Sequence, residues 1–259
     1  MKKIYLFIII IILAVVLVWF VKNQRVSREI SAEKGLEMSV SSISQTDNFY
    51  NIQVEYPQFG DIAADFNNQI SSLITGEIVR FKKIAKDNWD ARIATTPPGQ
   101  TVLKNPEVPF DFIANWKPVQ LNKEYLSFVI NIYYYSGGAH GINEVCAFNY
   151  DIVKKKEITI HDFLGHSPHV LQELSQIAAQ QVISQLQSSG VQIDDVLTPM
   201  IKQGAKPTLD NYHHFNFNYN SLTIYFQQYQ VVPGYVGPVT ITIFKSTLNE
   251  NSIISDYLK

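Results

Sequence analysis

The chain of 259 residues contains one cysteine, Cys146, so no disulfide can form within it. Cys146 sits in the apolar, strand-like run Glu144-Val-Cys-Ala-Phe148 and reads as a small buried side chain rather than a reactive thiol. Charge is also scarce. Asp, Glu, Lys and Arg make up 17% of the residues, and 21 basic against 23 acidic side chains leave a net charge of −2. No basic patch interleaved with aromatics stands out, so nucleic acid is not expected as a partner. Internal repeats and low-complexity tracts are missing as well.

Apolar residues, by contrast, are concentrated at the start. Ile4 to Val21 is an unbroken apolar run without charge, Gly or Pro. Its length is close to the ~20 residues a helix needs to span a bilayer core. The run ends Val18-Trp-Phe-Val-Lys22, with bulky residues where a signal-peptide cleavage site needs small ones. No Cys follows to support lipoprotein processing. The expectation is a cytoplasmic stub at 1–3, an uncleaved transmembrane anchor at 4–21 and a polar, Ser-rich stalk at 22–45. Lys2 and Lys3 favour the inner side, while Lys22, Arg25 and Arg28 pull the other way. Long following domains translocate largely regardless of charge. The expected localisation is therefore the cell membrane, single-pass, with the C-terminal domain extracytoplasmic. Whatever the protein does is expected of the residues after 21.

Those residues are numerous enough for one large domain or two small ones with a real core. Phe49 to Tyr56 reads as a strand stopped by Pro57. From Asp61 the period becomes helical, with Ile62, Phe66, Ile70, Leu73, Glu77 and Phe81 in register and Asp61 as the cap. Asp87 to Pro109 reads as irregular. Asp111–Val119 and Lys123–Tyr135 alternate like strands. Ser136-Gly-Gly-Ala-His-Gly141 then interrupts the pattern, which resumes over Val145–Val153 and so predicts a hairpin. Glu157–Ile160 reads as a short strand. Ser167-Pro168 is a cap followed by a first-turn proline, opening a helix that Gly190 ends. A short helix is predicted over Gln192–Gln203. Strands follow from Phe215 onward, including Tyr229–Val232 and Val239–Phe244, and a last helix over Thr247–Leu258. Strands and helices mix without regular alternation. The expected class is α+β, a largely antiparallel sheet packed by two or three helices and preceded by the N-terminal transmembrane helix.

Several segments occur in a telling order: Tyr133-Tyr-Tyr-Ser-Gly-Gly-Ala-His-Gly141, Phe148-Asn-Tyr-Asp151, Ile158-Thr-Ile-His-Asp-Phe163, Leu222-Thr-Ile-Tyr-Phe-Gln-Gln-Tyr229 and Val232-Pro-Gly-Tyr-Val-Gly237. Together they resemble the extracytoplasmic sensor domain of lysozyme-responsive anti-sigma factors, a family also found beside the catalytic domain of some peptidoglycan deacetylases. Phe49–Phe81, with Val54-Glu-Tyr-Pro57 before a helix, is similar to the smaller region that precedes it. The resemblance divides the outer part into a smaller N-terminal region at 46–120 and a sensor-like α+β domain at 121–259. Three residues before the anchor cannot hold a sigma factor, and no deacetylase domain fits after Tyr257. An outer domain and an anchor, with neither output attached, are expected.

The resemblance also implies a binding surface. In the anti-sigma relatives, loops matching Ser136, Gly137, Gly138 and His140, and Pro233, Tyr235 and Gly237, are implicated in grasping lysozyme. A turn stiffened by Pro233 and presenting Tyr235 suits docking, because little entropy is lost. The bland alternative is that both loops are turns and Tyr235 packs on its own domain. Other chemistry is weaker. His161-Asp162-x-x-x-His166-x-x-His169 and His213-His214 are ligand-capable but lack a recognised metal spacing. Ser136 with His140 suggests a nucleophile and base, but the Gly-x-Ser-x-Gly elbow of serine hydrolases is absent, because Tyr134 stands where its first glycine belongs. Asp194-Asp195 suits a helix start. Trp89 and Trp116 could stack on sugars and more simply read as core. The leading expectation is a membrane-anchored, non-enzymatic binding domain without cofactor or metal, recognising a cell-wall glycan or a lysozyme-like protein. The alternatives are an envelope hydrolase or metal enzyme using His140, His161 and His166, or a structural envelope protein.

Overall fold

The computed structural model describes residues 36–258, except Val102, His166, Asn251, Ser252 and Ile254. The stub at 1–3, the anchor at 4–21 and the first part of the stalk lie outside the described residues. Among the described residues no helix is long and apolar enough to cross a membrane. The fold is mixed α+β, but the strands divide between two sheets rather than one.

The larger sheet has six strands in sequential order: β1 (Met38–Thr46), β2 (Tyr50–Phe59), β3 (Phe110–Leu121), β4 (Tyr125–Tyr135), β5 (Ile142–Asp151) and β6 (Lys156–Glu157). Its pairs are antiparallel except β2 with β3. A parallel pair needs a long crossover, and α1 (Ala64–Ala94) supplies it. The smaller sheet contains β7 (Phe215–Asn218), β8 (Ser221–Phe226) and β9 (Val239–Phe244), all antiparallel. The remaining helices are α2 (Ile160–Phe163), α3 (Pro168–Ser188), α4 (Leu197–Gly204) and α5 (Lys245–Glu250).

Helix α1 buries Phe66, Ile70, Ile74, Phe81, Ala85 and Trp89. Their partners are the alternate residues of the larger sheet. The Phe66 ring stacks on Tyr150 at 4.6 Å and meets Phe128 at 6.0 Å, and Phe81 meets Phe112 at 5.3 Å. Each fully buried side chain of this size contributes about 1.5–3 kcal/mol. A second core forms where α3 supplies Leu174, Ala178 and Val182 beneath Phe215, Phe217, Leu222 and Ile224. Between the two sheets lies a polar knot. Asn216 of β7, fully buried, donates from Nδ2 to the carbonyls of Phe128 and Phe148, each at 3.0 Å. The Ser127 hydroxyl donates to Asn149 Oδ1 at 2.7 Å, and Asn149 Nδ2 donates to the Phe215 carbonyl at 2.7 Å.

The structure departs from the sequence expectations in several places. Residues 38–45, expected within a polar stalk, belong to β1, an edge strand paired along β2. The Pro57 ring does not stop β2, because β3 pairs only as far as Val54 and the missing N–H of Pro57 breaks no bond there. Helix α1 runs on through the expected irregular stretch to Ala94, supported by Lys83–Asp87 and Lys86–Asp90 pairs one turn apart. Asp61 makes no cap. The entry is pinned instead by Asn67, which accepts from the Phe59 N–H at 2.8 Å and donates back to the Phe59 carbonyl. Ile160 begins a helix rather than ending a strand, because Thr159 and Asp162 form a reciprocal capping box. Tyr229–Val232 is not a strand. The last helix is α5 alone, shorter and earlier than expected.

Candidate functional site

The first expected loop closes the β4–β5 hairpin. Gly137 and Gly138 adopt φ of 91° and 117°, a region that side chains rarely enter. Asn88, near the end of α1, holds the loop by donating to the Ser136 carbonyl at 2.9 Å, with the Ser136 hydroxyl at 3.4 Å. The Tyr135 hydroxyl donates to the Gly138 carbonyl at 3.1 Å. Among the described residues no hydrogen bond joins Ser136 to His140. The serine engages Asn88, and His140 lies exposed with Nε2 at 3.3 Å from the Tyr229 hydroxyl.

The second loop is a 3-10 turn, Gly234–Val236, between Pro233 and Gly237. Gly237 has φ of 82°. Tyr235 is 87% exposed, so it does not pack on its own domain. Gln228 donates to the Gly234 carbonyl at 2.6 Å, and Tyr229 lies directly on Gly234, where an added Cβ would stand 1.9 Å from the ring. Tyr229 itself has φ of 71°, uncommon for a residue with a side chain. His140, Tyr229 and Gly234 thus form one chain of contacts, and the two expected loops meet.

The same segment clamps β5. Gln227 accepts from the Val145 N–H at 3.0 Å and donates to the Val145 carbonyl at 2.6 Å, as a neighbouring strand would. Gln228 accepts from the Asn143 N–H at 2.8 Å. Gln227, Gln228, Tyr229 and Asn88 were not singled out from sequence as site residues. The run Gln227-Gln-Tyr-Gln230 was the available signal, since consecutive amides can replace backbone partners.

Two clefts flank this clamp. One of about 390 Å³ lies beside Glu77, Glu144 and Tyr229. The other, about 530 Å³, gathers His161, His213 and His214 with Glu157. Both reach Leu73, Cys146 and His214. Burial, then the neighbouring His213, brings the His214 imidazole down to about 3. Burial pushes the Cys146 thiol up to about 12, so it stays protonated. Burial, then Asp162, raises Glu157. Burial alone would raise the Asp162 carboxyl, but Lys156 and Thr159 outweigh it and bring it down to about 2. Among the described residues no group of three His, Cys, Asp or Glu could hold a metal ion. His169 is exposed, and His166 lies outside the described residues. Asp194 accepts from the N–H groups of Leu197 and Val196 at 2.8 and 3.0 Å, which makes it a turn before α4. Trp89 and Trp116 are buried, as core.

A third cavity, about 490 Å³, opens at the foot of the hairpin. It is lined by the end of α1 (Asn88, Trp89, Arg92), the 106–110 segment, Tyr135, Gly137 and Gly138.

Two segments of the chain match known family models. Residues 43–143 match the family described as Deacetylase PdaC, and residues 162–246 match Protein of unknown function (DUF3298). Among curated proteins, the chain is similar to the peptidoglycan-N-acetylmuramic acid deacetylase PdaC of Bacillus subtilis (strain 168), 27% identical over 213 residues. That similarity covers 82% of this chain and 41% of the relative, so the chain spans about two fifths of the relative's length. Solved structures share the fold. A DUF3298 protein of Bacteroides fragilis NCTC 9343 has a TM-score of 0.58 at 17% identity, covering 83% of this chain and 92% of its own. One from Pseudomonas aeruginosa PAO1 has a TM-score of 0.54 at 13% identity, covering 86% and 96%. The similarity to a deacetylase, with the PdaC match, overturns the expectation of a protein that is not an enzyme. Of the expected resemblance, the part shown is to domains found with peptidoglycan deacetylases.

Proposed function

We propose that this chain works in peptidoglycan deacetylation and engages the wall glycan on the surface framed by its two joined loops. The carrying observation is the 27% identity, over 82% of the chain, to a deacetylase of N-acetylmuramic acid in peptidoglycan. The geometry supports the reading. The loops are held by side-chain bonds rather than left loose, so a ligand meets a surface that is already ordered. The apolar run at 4–21 would tether that surface at the membrane, on the side where the wall lies.

The test is to incubate the purified chain with peptidoglycan, alone and with a deacetylase added. Released acetate and co-sedimentation with the wall are measured. Acetate release above a denatured control, or faster release by the added enzyme, together with co-sedimentation, is expected. Neither acetate nor sedimentation would refute the proposal.

A second reading rests on Tyr235, which is 87% exposed at the tip of a pinned turn. Such a rigid aromatic is a fitting anchor for a lysozyme-like protein. A lysozyme pull-down that Tyr235→Ala abolishes would support it, and no capture by the unaltered chain would dismiss it.

A further inference from the structure

The geometry points to the groove at the foot of the hairpin as a subsite for an N-acetyl sugar that carries a carboxylate. The inference rests on the proposed engagement of wall glycan. The groove's volume of about 490 Å³ is that of a small-molecule site, and its lining is divided chemically. Half-buried Tyr135 supplies aromatic surface, backed by the buried Trp89 and Phe110, while Asn88, Arg92 and Glu107 supply polar groups. A pyranose needs that division, because its C–H face is apolar and its rim carries hydroxyl and amide groups.

Arg92 selects the anion. The basic residues of α1 mostly have acidic partners: Arg80 pairs with Glu144 at 2.8 Å, Lys83 with Asp87 at 2.5 Å and Lys86 with Asp90 at 2.7 Å. Lys82 donates to Gln45 at 2.7 Å. Arg92 has no carboxylate within ion-pair distance among the described residues. Its guanidinium carbon instead lies 5.7 Å from the Trp89 ring centre. That contact restrains the group while its N–H fork stays open to a carboxylate.

Two more features admit a sugar. Asn88 commits N–H to Ser136, and its carbonyl oxygen is an acceptor suited to an acetamido N–H. At Gly138 nothing lies within 4 Å of where a Cβ would stand, so a ligand can approach the loop backbone closely. Glu107, exposed on the same groove, can accept from sugar hydroxyls.

The experiment titrates the chain with two β-1,4 disaccharides. One is N-acetylglucosaminyl-N-acetylmuramic acid, and the other, di-N-acetylchitobiose, lacks the carboxylate. The amide signals of Gly137, Gly138 and Ala139 are followed by NMR. The acidic disaccharide should bind at least tenfold tighter than the neutral one. Arg92→Gln should erase that preference by weakening the acidic disaccharide far more than the neutral one. Tyr135→Ala should weaken both sugars. Equal affinities in the unaltered chain, or a preference that survives Arg92→Gln, would overturn the subsite. Wall sedimentation with no response at these amides would remove the subsite and leave the parent reading standing. A groove that binds the acidic sugar in a chain without effect on acetate release or sedimentation would leave the subsite and remove the parent reading.

Discussion

At the scale of single residues, steric room and burial separate positions that look alike in sequence. Gly76 and Gly204 both lie in helices. A Cβ at Gly76 would meet nothing within 4 Å, whereas one at Gly204 would stand 2.0 Å from the Gln230 carbonyl oxygen. Gly204→Ala must displace backbone and is expected to cost about 1–3 kcal/mol. Gly76→Ala relieves helix entropy and should stabilise by about 0.5–1 kcal/mol. Urea unfolding of the two variants checks both signs. His214 is a second case. Its folded-state value of about 3 lies below the ordinary 6.5, so between those values the unfolded chain binds the extra proton. Its contribution to stability is therefore intact above 6.5 and lost progressively as pH falls towards 3. His214→Gln should flatten the pH dependence over that window in denaturant titrations. An unchanged slope would show that the imidazole is not the group responsible.

At the scale of elements, β5 illustrates how a side chain takes the place of a strand. Gln227 satisfies both polar groups of Val145, blunting an edge that would otherwise pair with another chain. Gln227→Ala is expected to lose about 1–3 kcal/mol. It should also raise self-association, visible as light scattering that grows with protein concentration. This substitution of amide for strand also explains why Tyr229–Val232 misled. Its apolar residues suggest pairing, yet Tyr229 has φ of 71° and the glutamines carry the bonds. The hairpin was legible because Gly137 and Gly138 mark a turn between alternating runs, and α3 because Ser167-Pro168 opens it. Edge strand β1 was not, since its serines give no buried alternation and its register comes from β2. The loops at 136–140 and 233–237 could be named from sequence. That they touch could not, because the contact runs through Tyr229 in a backbone conformation that no local pattern announces.

At the scale of the whole molecule, the two sheets are tied by a buried polar knot in which Asn216 and Asn149 both bond across. Removing Asn216 would strand the carbonyls of Phe128 and Phe148 without their donor. Each stranded group costs about 1–3 kcal/mol. Asn216→Ala should therefore lower the unfolding midpoint far more than a surface Asn→Ala. Hydrogen exchange should also quicken in β4 and β7 together, because both lose the same tie. A change confined to β7 would show that the Asn216 bonds do not tie the sheets, leaving that work to Asn149, Ser127 and apolar contact. The long crossover helix has a reach of its own. Asn67 fastens its first turn to Phe59, and Asn88 fastens its last turns to Ser136. Between these anchors the helix acts as a gauge of rotation, advancing ~100° with each residue. One amino acid inserted at the solvent-facing midpoint would swing Asn88 and Arg92 a quarter-turn out of phase with the hairpin, dismantling the groove while sparing the composition of every strand.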